Sequence, residues 1–208
     1  VLIVGAGLSG VTIARELADN GHKVHVIDRR DHIAGNAYDY INEHGIRVHK
    51  YGPHLFHTNN EKVFKWLSRF TDWVEYHHKV KAQLKDGRYV TLPVNRETKD
   101  IVGEENVLDI FFRPYTKKMW GVELDKLNPD IINRVPIRDD DNELYFPDDK
   151  IQYMPRHGYT KMVENILHHH NITVNLKVHF NKLLEKEYDH VFNSMPIDEY
   201  YEFKYGKL

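Results

Sequence analysis

The chain has 208 residues, with 29 basic and 31 acidic side chains and a formal net charge of −2. That balance offers no general electrostatic attraction to nucleic acid or an anionic membrane, and the absence of cysteine excludes disulfides and thiolate chemistry. The same absence of cysteine leads to the expectation of a cytoplasmic protein; no apolar run approaches the ~20 residues of a membrane span, and the length allows one sizeable core or one domain and a small companion.

Val1 to Val4 is an apolar run of the kind a buried parallel strand needs. It starts without an initiator Met, and residues ahead of it are expected. Gly5, Gly7 and Gly10 follow in G-x-G-x-x-G spacing and open a helical stretch that carries Leu8 and Ser9 at its start. Such glycines allow a tight turn, a close backbone approach to a pyrophosphate and close helix packing, with phosphate on the N–H groups of the helix end. Ala14 and Leu17 lie on that helix's apolar face, and Gly21 ends it. A second strand, Lys23 to Ile27, closes on Asp28, about 20 residues past the glycines, where a carboxylate accepts ribose hydroxyls. Strand, glycines, helix, strand and terminal acid together predict a dinucleotide site; the glycine pattern alone would fit an ordinary turn.

Further along, Asn42 to Gly45 reads as a hairpin turn between short strands. Asn60 to Arg69 reads as a helix, with Val63, Trp66, Leu67 and Phe70 at roughly helical spacing. "KVKAQLKDGRYVTLPV" reads as a β-hairpin turning at Asp86-Gly87. Helical periodicity follows, interrupted by Pro114, and "GYTKMVENILHHHN" is a further helix. "ITVNL", "KVHF" and "DHVFNS" are short strands that rejoin the first sheet.

The expected fold is α/β: a Rossmann-like parallel sheet with a helical insertion and a β-hairpin or antiparallel region. It divides as a dinucleotide unit over 1–78, a hairpin of a substrate-side sheet over 79–95, a helical insertion over 96–134, and substrate-side strands with the return to the first sheet over 135–208. A dinucleotide unit followed by hairpins and a helical insert favours FAD over NAD, because a nicotinamide domain alternates strand and helix more regularly. Gly35 and Asn36 form a second glycine element that can approach a long cofactor, or serve as a plain turn.

Several residues admit two readings. His54 and His57 have the spacing of a metal pair, but no third ligand stands near, and no metal site is expected. His168, His169 and His170 read as a solvated helix end. Phe111, Tyr115 and Trp120, taken singly, would be core aromatics. Arg134, within apolar "IINRVPI", calls for an anion, and a diphosphate accepts its planar fork bidentately. Asp139 to Asp141 read as an exposed acidic loop.

The stretches "VGAGLSG", "HIAGNAYD", "HKYGPHLFHT", "TLPVN", "YTKKMWG", "IINRVPIR", "LYFPD", "GYTKMVE" and "PIDEYYEFKYGKL" occur in an order that resembles the UDP-galactopyranose mutase family over most of the chain. The resemblance implies an FAD-dependent isomerase that interconverts UDP-galactopyranose and UDP-galactofuranose through a reduced-flavin N5 sugar adduct. It implies cofactor contacts from Gly5, Gly7, Leu8, Ser9, Gly10, Asp28, Arg29, Gly35 and Asn36, with His54 and His57 near the flavin ring. By the same resemblance Asn95 lies on the substrate side, Phe111 and Tyr115 hold the uracil, and Trp120 lines the sugar pocket. Arg134 grips the diphosphate, and Tyr145 with Phe146 serves the phosphate site. A UDP-sugar partner, a cell-surface polysaccharide pathway and a possible homodimer are implied too. Two readings stand beside it: a flavin oxidoreductase of the amine-oxidase kind, and a non-catalytic nucleotide-binding remnant. The chain departs from the family pattern in the short "RETKDIV" segment, which implies a reduced helical insertion. It also has Ala34 where a glycine is usual, and it stops at "KYGKL" where the family continues.

Overall fold

The computed structural model of the chain describes residues 1–128 and 137–208. They form two compact units, one made of 1–75 with 153–208 and the other of 76–152.

The first unit begins with strand β1 (Leu2–Val4), helix α1 (Leu8–Asp19) and strand β2 (Val24–Asp28). Two antiparallel strands follow, β3 (Asp39–Ile41) and β4 (Arg47–His49), joined by the expected turn. Then come β5 (Phe56–Thr58), α2 (Glu61–Leu67) and β6 (Trp73–Glu75). The second unit contains β7 (Val80–Gln83), β8 (Tyr89–Leu92), α3 (Arg96–Val102) and α4 (Arg113–Trp120). The chain returns to the first unit through β9 (Ile151–Pro155), α5 (Tyr159–Leu167), β10 (Ile172–Leu176), β11 (Val191–Asn193) and the short α6 (Ile197–Tyr200).

A four-stranded parallel sheet in the order β10-β2-β1-β11 is the frame of the first unit. Strand alternation sorts its side chains onto two faces. Ile3, Val24 and Val26 pack with Val11, Ala14 and Ala18 of α1 and with Met162, Val163 and Ile166 of α5. Leu2, Val4 and Ile27 face the other way, against Val178, Phe180 and Tyr188. "ITVNL" and "DHVFNS" therefore supply β10 and β11 as expected. "KVHF" does not form a strand: Lys177 takes φ +59, a left-handed residue that breaks the pleat. Its residues still hold the edge of the sheet, because the N–H groups of Lys177 and Val178 donate to the carbonyls of Arg30 and Asp28.

Two helix starts show how local chemistry sets the ends. Asn60 caps α2, its Oδ1 accepting from Lys62 N–H and Val63 N–H at 3.0 and 3.3 Å. Helix α5 follows Gly158, which has no side chain to cap with, and the cap arrives from another strand. The Asp39 carboxylate accepts from Tyr159 N–H at 2.8 Å and Thr160 N–H at 3.0 Å, and Arg47 stands 3.5 Å from it.

In the second unit β7 and β8 pair antiparallel across the Asp86-Gly87 turn. Asn95 caps α3 through Oδ1, which accepts from Thr98 N–H at 3.0 Å. Leu108–Phe112 winds as a π-helix directly into α4. Pro114 sits in the first turn of α4, at the point where the winding changes from π to α. Arg138, almost fully buried, ties its own loop by donating to the carbonyls of Leu144 and Asn142 at 3.0 and 2.5 Å. Among the described residues no helix is long and apolar enough to cross a membrane.

Candidate functional site

The carboxyl ends of β1, β2 and β11 open onto a cleft of about 500 Å³, the place where open α/β sheets bind ligands. Gly5, Gly7, Leu8, Ser9, Asp28 and Arg29 line it, together with Gly35, Asn36 and His54.

Three bare backbones make the turn possible. Gly5 has φ +108, and a Cβ there would meet Ser194 Oγ at 2.1 Å. A Cβ on Gly10 would stand 1.9 Å from Gly5 O, so Gly10 lies behind the turn and seats α1 on β1. Gly7 precedes α1 without any side-chain cap, and its nearest neighbour across the gap is Gly35, whose own Cβ would stand 2.9 Å from Gly7 Cα.

Asp28, at the end of β2, grips this turn. Its Oδ2 accepts from Ala6 N–H and its Oδ1 from Arg30 N–H, each at 2.8 Å. Each oxygen keeps a lone pair for a further donor. The Ala6 carbonyl in turn accepts from Ala34 N–H at 2.9 Å, which locks the second glycine element onto the first. Ala34 is buried at φ +70, the left-handed region. This bare, doubly tethered backbone at a helix start, with a carboxylate beside it, fits a dinucleotide: pyrophosphate on the turn and a ribose at the acid.

Around that frame, Arg29 pairs with Glu199 at 2.7 Å. Arg30 donates to Asn36 Oδ1 at 2.9 Å, and its guanidinium lies 4.8 Å from the centre of the Tyr51 ring. His54 reaches the cleft from the turn after β4. His57 lies in β5, exposed and outside the cleft lining, so the two histidines are not brought to one point. Among the described residues no group of His, Asp or Glu could hold a metal ion. His168 ends α5, and His169 stacks on His170 at 4.4 Å; burial and the neighbouring His170 hold the His169 ring below its ordinary pKa.

The remaining expected residues belong to the second unit. Phe111 lies in the π-helical turn and is half-buried, whereas Tyr115 and Trp120 on α4 are exposed. Tyr145 packs against Phe146 and His78 at 4.9 and 5.6 Å. Asn95 is fully buried, and its Oδ1 is engaged in capping α3. Arg134 lies outside the described residues. Asp139, Asp140 and Asp141 are exposed, as expected, and Asp139 and Asp141 pair with Lys99 and Arg96.

Sequence reasoning missed the far wall of the cleft, made by Val178, His179, Phe180, Ser194, Met195 and Pro196. The available signal was position: residues just past the carboxyl end of a parallel strand, as Ser194 to Pro196 follow β11. Ser194 Oγ–H donates to Val4 O at 2.8 Å and fills the space that Gly5 leaves open.

A family model for UDP-galactopyranose mutase matches residues 110–208, and one for an NAD(P)-binding Rossmann-like domain matches residues 3–70. The chain is 37% identical to a probable UDP-galactopyranose mutase of Klebsiella pneumoniae, across all of this chain and 63% of that protein. It is 35% identical to a dTDP-fucopyranose mutase of Escherichia coli, across all of this chain and 66% of that protein. The UDP-galactopyranose mutase of Mycoplasma genitalium is 32% identical across 96% of this chain and 59% of its own length. The chain thus spans about two thirds or less of these relatives. A crystal structure of reduced UDP-galactopyranose mutase superposes with TM-score 0.60 at 20% identity, covering 84% of this chain and 48% of that one. An oxidoreductase of Methanosarcina mazei superposes with TM-score 0.52 at 14% identity, covering 85% and 50%. At those identities the two structures speak for the fold alone.

Proposed function

We propose that the chain, which matches the UDP-galactopyranose mutase family model over residues 110–208 and is 32–37% identical to named members, belongs to that family and is an FAD-dependent isomerase interconverting UDP-galactopyranose and UDP-galactofuranose. The observation that carries this reading is the cleft where Gly7 and Gly35 meet without side chains beside Asp28. It supports a long dinucleotide laid along the end of the parallel sheet.

The turn from Gly5 to Gly10 would receive the pyrophosphate and Asp28 the ribose, with Gly35 and Asn36 taking the next part of the cofactor. The chemistry FAD supplies when bound in its reduced form is that of a nitrogen nucleophile, N5, toward the anomeric carbon, with no net consumption of reductant. The protein's part is orientation and charge stabilisation. His54 stands in the same cleft. Phe111 and Tyr115 are assigned to the uracil, Trp120 to the sugar, and Tyr145 with Phe146 to the phosphates. Arg134 is assigned to the diphosphate, where a guanidinium offsets the negative charge that builds as the bond to the sugar breaks. The reading includes a cytoplasmic homodimer serving a cell-surface polysaccharide pathway.

One observation favours a second substrate: the 35% identical relative named as a dTDP-fucopyranose mutase. Both sugars undergo the same change of ring form, so one assay covers them. The chain is incubated with FAD, dithionite and either UDP-galactofuranose or dTDP-fucofuranose, and pyranose product is sought by chromatography. Conversion of either supports the mutase reading and names the sugar. Full FAD occupancy without conversion of either would leave a binding chain, and amine-linked consumption of an electron acceptor would leave an oxidase. A colourless chain that takes up no FAD in excess overturns the reading.

A further inference from the structure

His49 is the last residue of β4, just before the turn that delivers His54 to the cleft. Its Nδ1 accepts from the main-chain N–H of His54 at 3.2 Å. The His54 ring is fixed separately: its Nδ1 bonds the carbonyl of Gly52 at 3.0 Å. A carbonyl only accepts, so that nitrogen carries the proton and Nε2 is the ring's remaining acceptor. The two imidazoles lie nearly parallel, 10° apart with centres 6.4 Å from each other. Both meet the buried Tyr159 ring edge-on, at 5.8 and 6.3 Å.

From this geometry we propose that His49 is a positioning residue for the cofactor cleft, holding the Gly52–His54 turn through a nitrogen that must stay unprotonated. A protonated Nδ1 would set one N–H against another and release the turn. The groups facing His49 are Asp39 from β3, Arg47 on its own strand, His54 on the turn and Tyr159 on α5. Burial lowers the His49 pKa, Asp39 opposes, and His54 and Arg47 add to the lowering. Asp39 is already engaged by two helix N–H groups and Arg47, so the neutral ring prevails. A histidine lowered in this way is still neutral at its ordinary 6.5, and the hold is lost only as pH falls further, toward the lowered value of the folded ring.

The inference rests on the flavin reading of the cleft, and the test separates the two. FAD is titrated into the full chain by flavin fluorescence from pH 8 to pH 5, for the parent, His49→Asn and His49→Leu. Asn places an oxygen where Nδ1 stands but does not titrate. The parent is expected to bind FAD roughly 5- to 50-fold more weakly at pH 5 than at pH 8. His49→Asn should stay close to the parent's pH 8 affinity throughout, and His49→Leu should be weaker at every pH and flat. A parent without pH dependence, or a His49→Leu chain that keeps the parent's affinity and profile, overturns the proposal. If the chain takes up no FAD, the cofactor reading fails, and the His54 amide shift in a nitrogen-15 spectrum decides instead. It should titrate in the parent and not in His49→Asn; a His54 amide that does not titrate in the parent overturns the proposal.

Discussion

Gly7 and Gly35 stand backbone to backbone: a Cβ on Gly35 would lie 2.9 Å from Gly7 Cα, closer than side-chain carbons come. Gly35 also has φ +56, where a side chain costs about 1–2 kcal/mol. The neighbour is main chain and cannot swing aside. Gly35→Ala is therefore expected to lose about 2–3 kcal/mol of stability and to weaken FAD uptake beyond that loss. Urea midpoints at unchanged slope give the first quantity, and a flavin titration of the folded variant the second. Parent-like values for both would mean that the two loops separate freely.

Ala34 tests the opposite balance. At φ +70 it bears the left-handed cost that glycine avoids, yet its methyl is buried in the main core. Removing the methyl forfeits about 0.8 kcal/mol of burial and adds unfolded-chain entropy worth about 0.4–1 kcal/mol, against relief of about 1–2 kcal/mol of strain. Ala34→Gly is expected to change stability by less than about 1 kcal/mol. Ala34→Val, β-branched in the same conformation, is expected to lose about 3 kcal/mol or more. Thermal melts of the pair check the ordering, and equal midpoints for Gly and Val would contradict it.

The frame of the first unit was legible because its signals are local. Val1 to Val4, the three glycines and Asp28 form one continuous pattern, and Asn42-Gly45, like Asp86-Gly87 in the second unit, is a turn with its own chemistry. The strands Ile172–Leu176 and Val191–Asn193 were legible too, as short apolar runs. "KVHF" misled because its alternation comes from packing under the sheet, Val178 and Phe180 against Leu2 and Val4, and not from pairing. The cleft wall at Ser194 was hidden because nothing in "NSMP" signals a ligand until β11 sets it beside Gly5. Asn95 shows the limit of reading motifs residue by residue. The asparagine that resemblance sets on the substrate side is also a buried helix cap, and sequence gives no measure of burial.

Glu143 lies between Lys79 and Lys81, at 2.7 and 2.6 Å. Hydrogen bonds from the two ammonium groups pull its carboxyl down to about 2 from an ordinary 4.5. A lowered acid adds stability that is complete above its unfolded value and lost as pH falls toward its folded one. The second unit should lose this contribution between about pH 4.5 and pH 2. Glu143→Gln should flatten the stability curve in that window and leave its shape above pH 5 unchanged. The exposed site keeps the effect small. Urea midpoints across the acid range measure it, and an unaltered slope in the variant would show the bridge to be without consequence.

Asp39 carries a heavier structural role than its place on a three-residue strand suggests. Its side chain is completely buried. It accepts two N–H groups at the start of α5, while Thr160 Oγ1 donates back to its carbonyl at 2.7 Å and accepts its N–H at 2.8 Å. Helix α5 supplies Met162, Val163 and Ile166 to the core and Tyr159 to the histidine pair. Asp39→Ala leaves both helix N–H groups without their acceptor and Arg47 without its carboxylate, so about 3 kcal/mol of stability should go. Asp39→Asn keeps one acceptor oxygen and should lose less. Hydrogen exchange adds a local signature: the Tyr159 and Thr160 amides should speed up in Asp39→Ala by more than the global loss accounts for. If those two amides exchange only as fast as the rest of α5, the cap is not what holds the helix start.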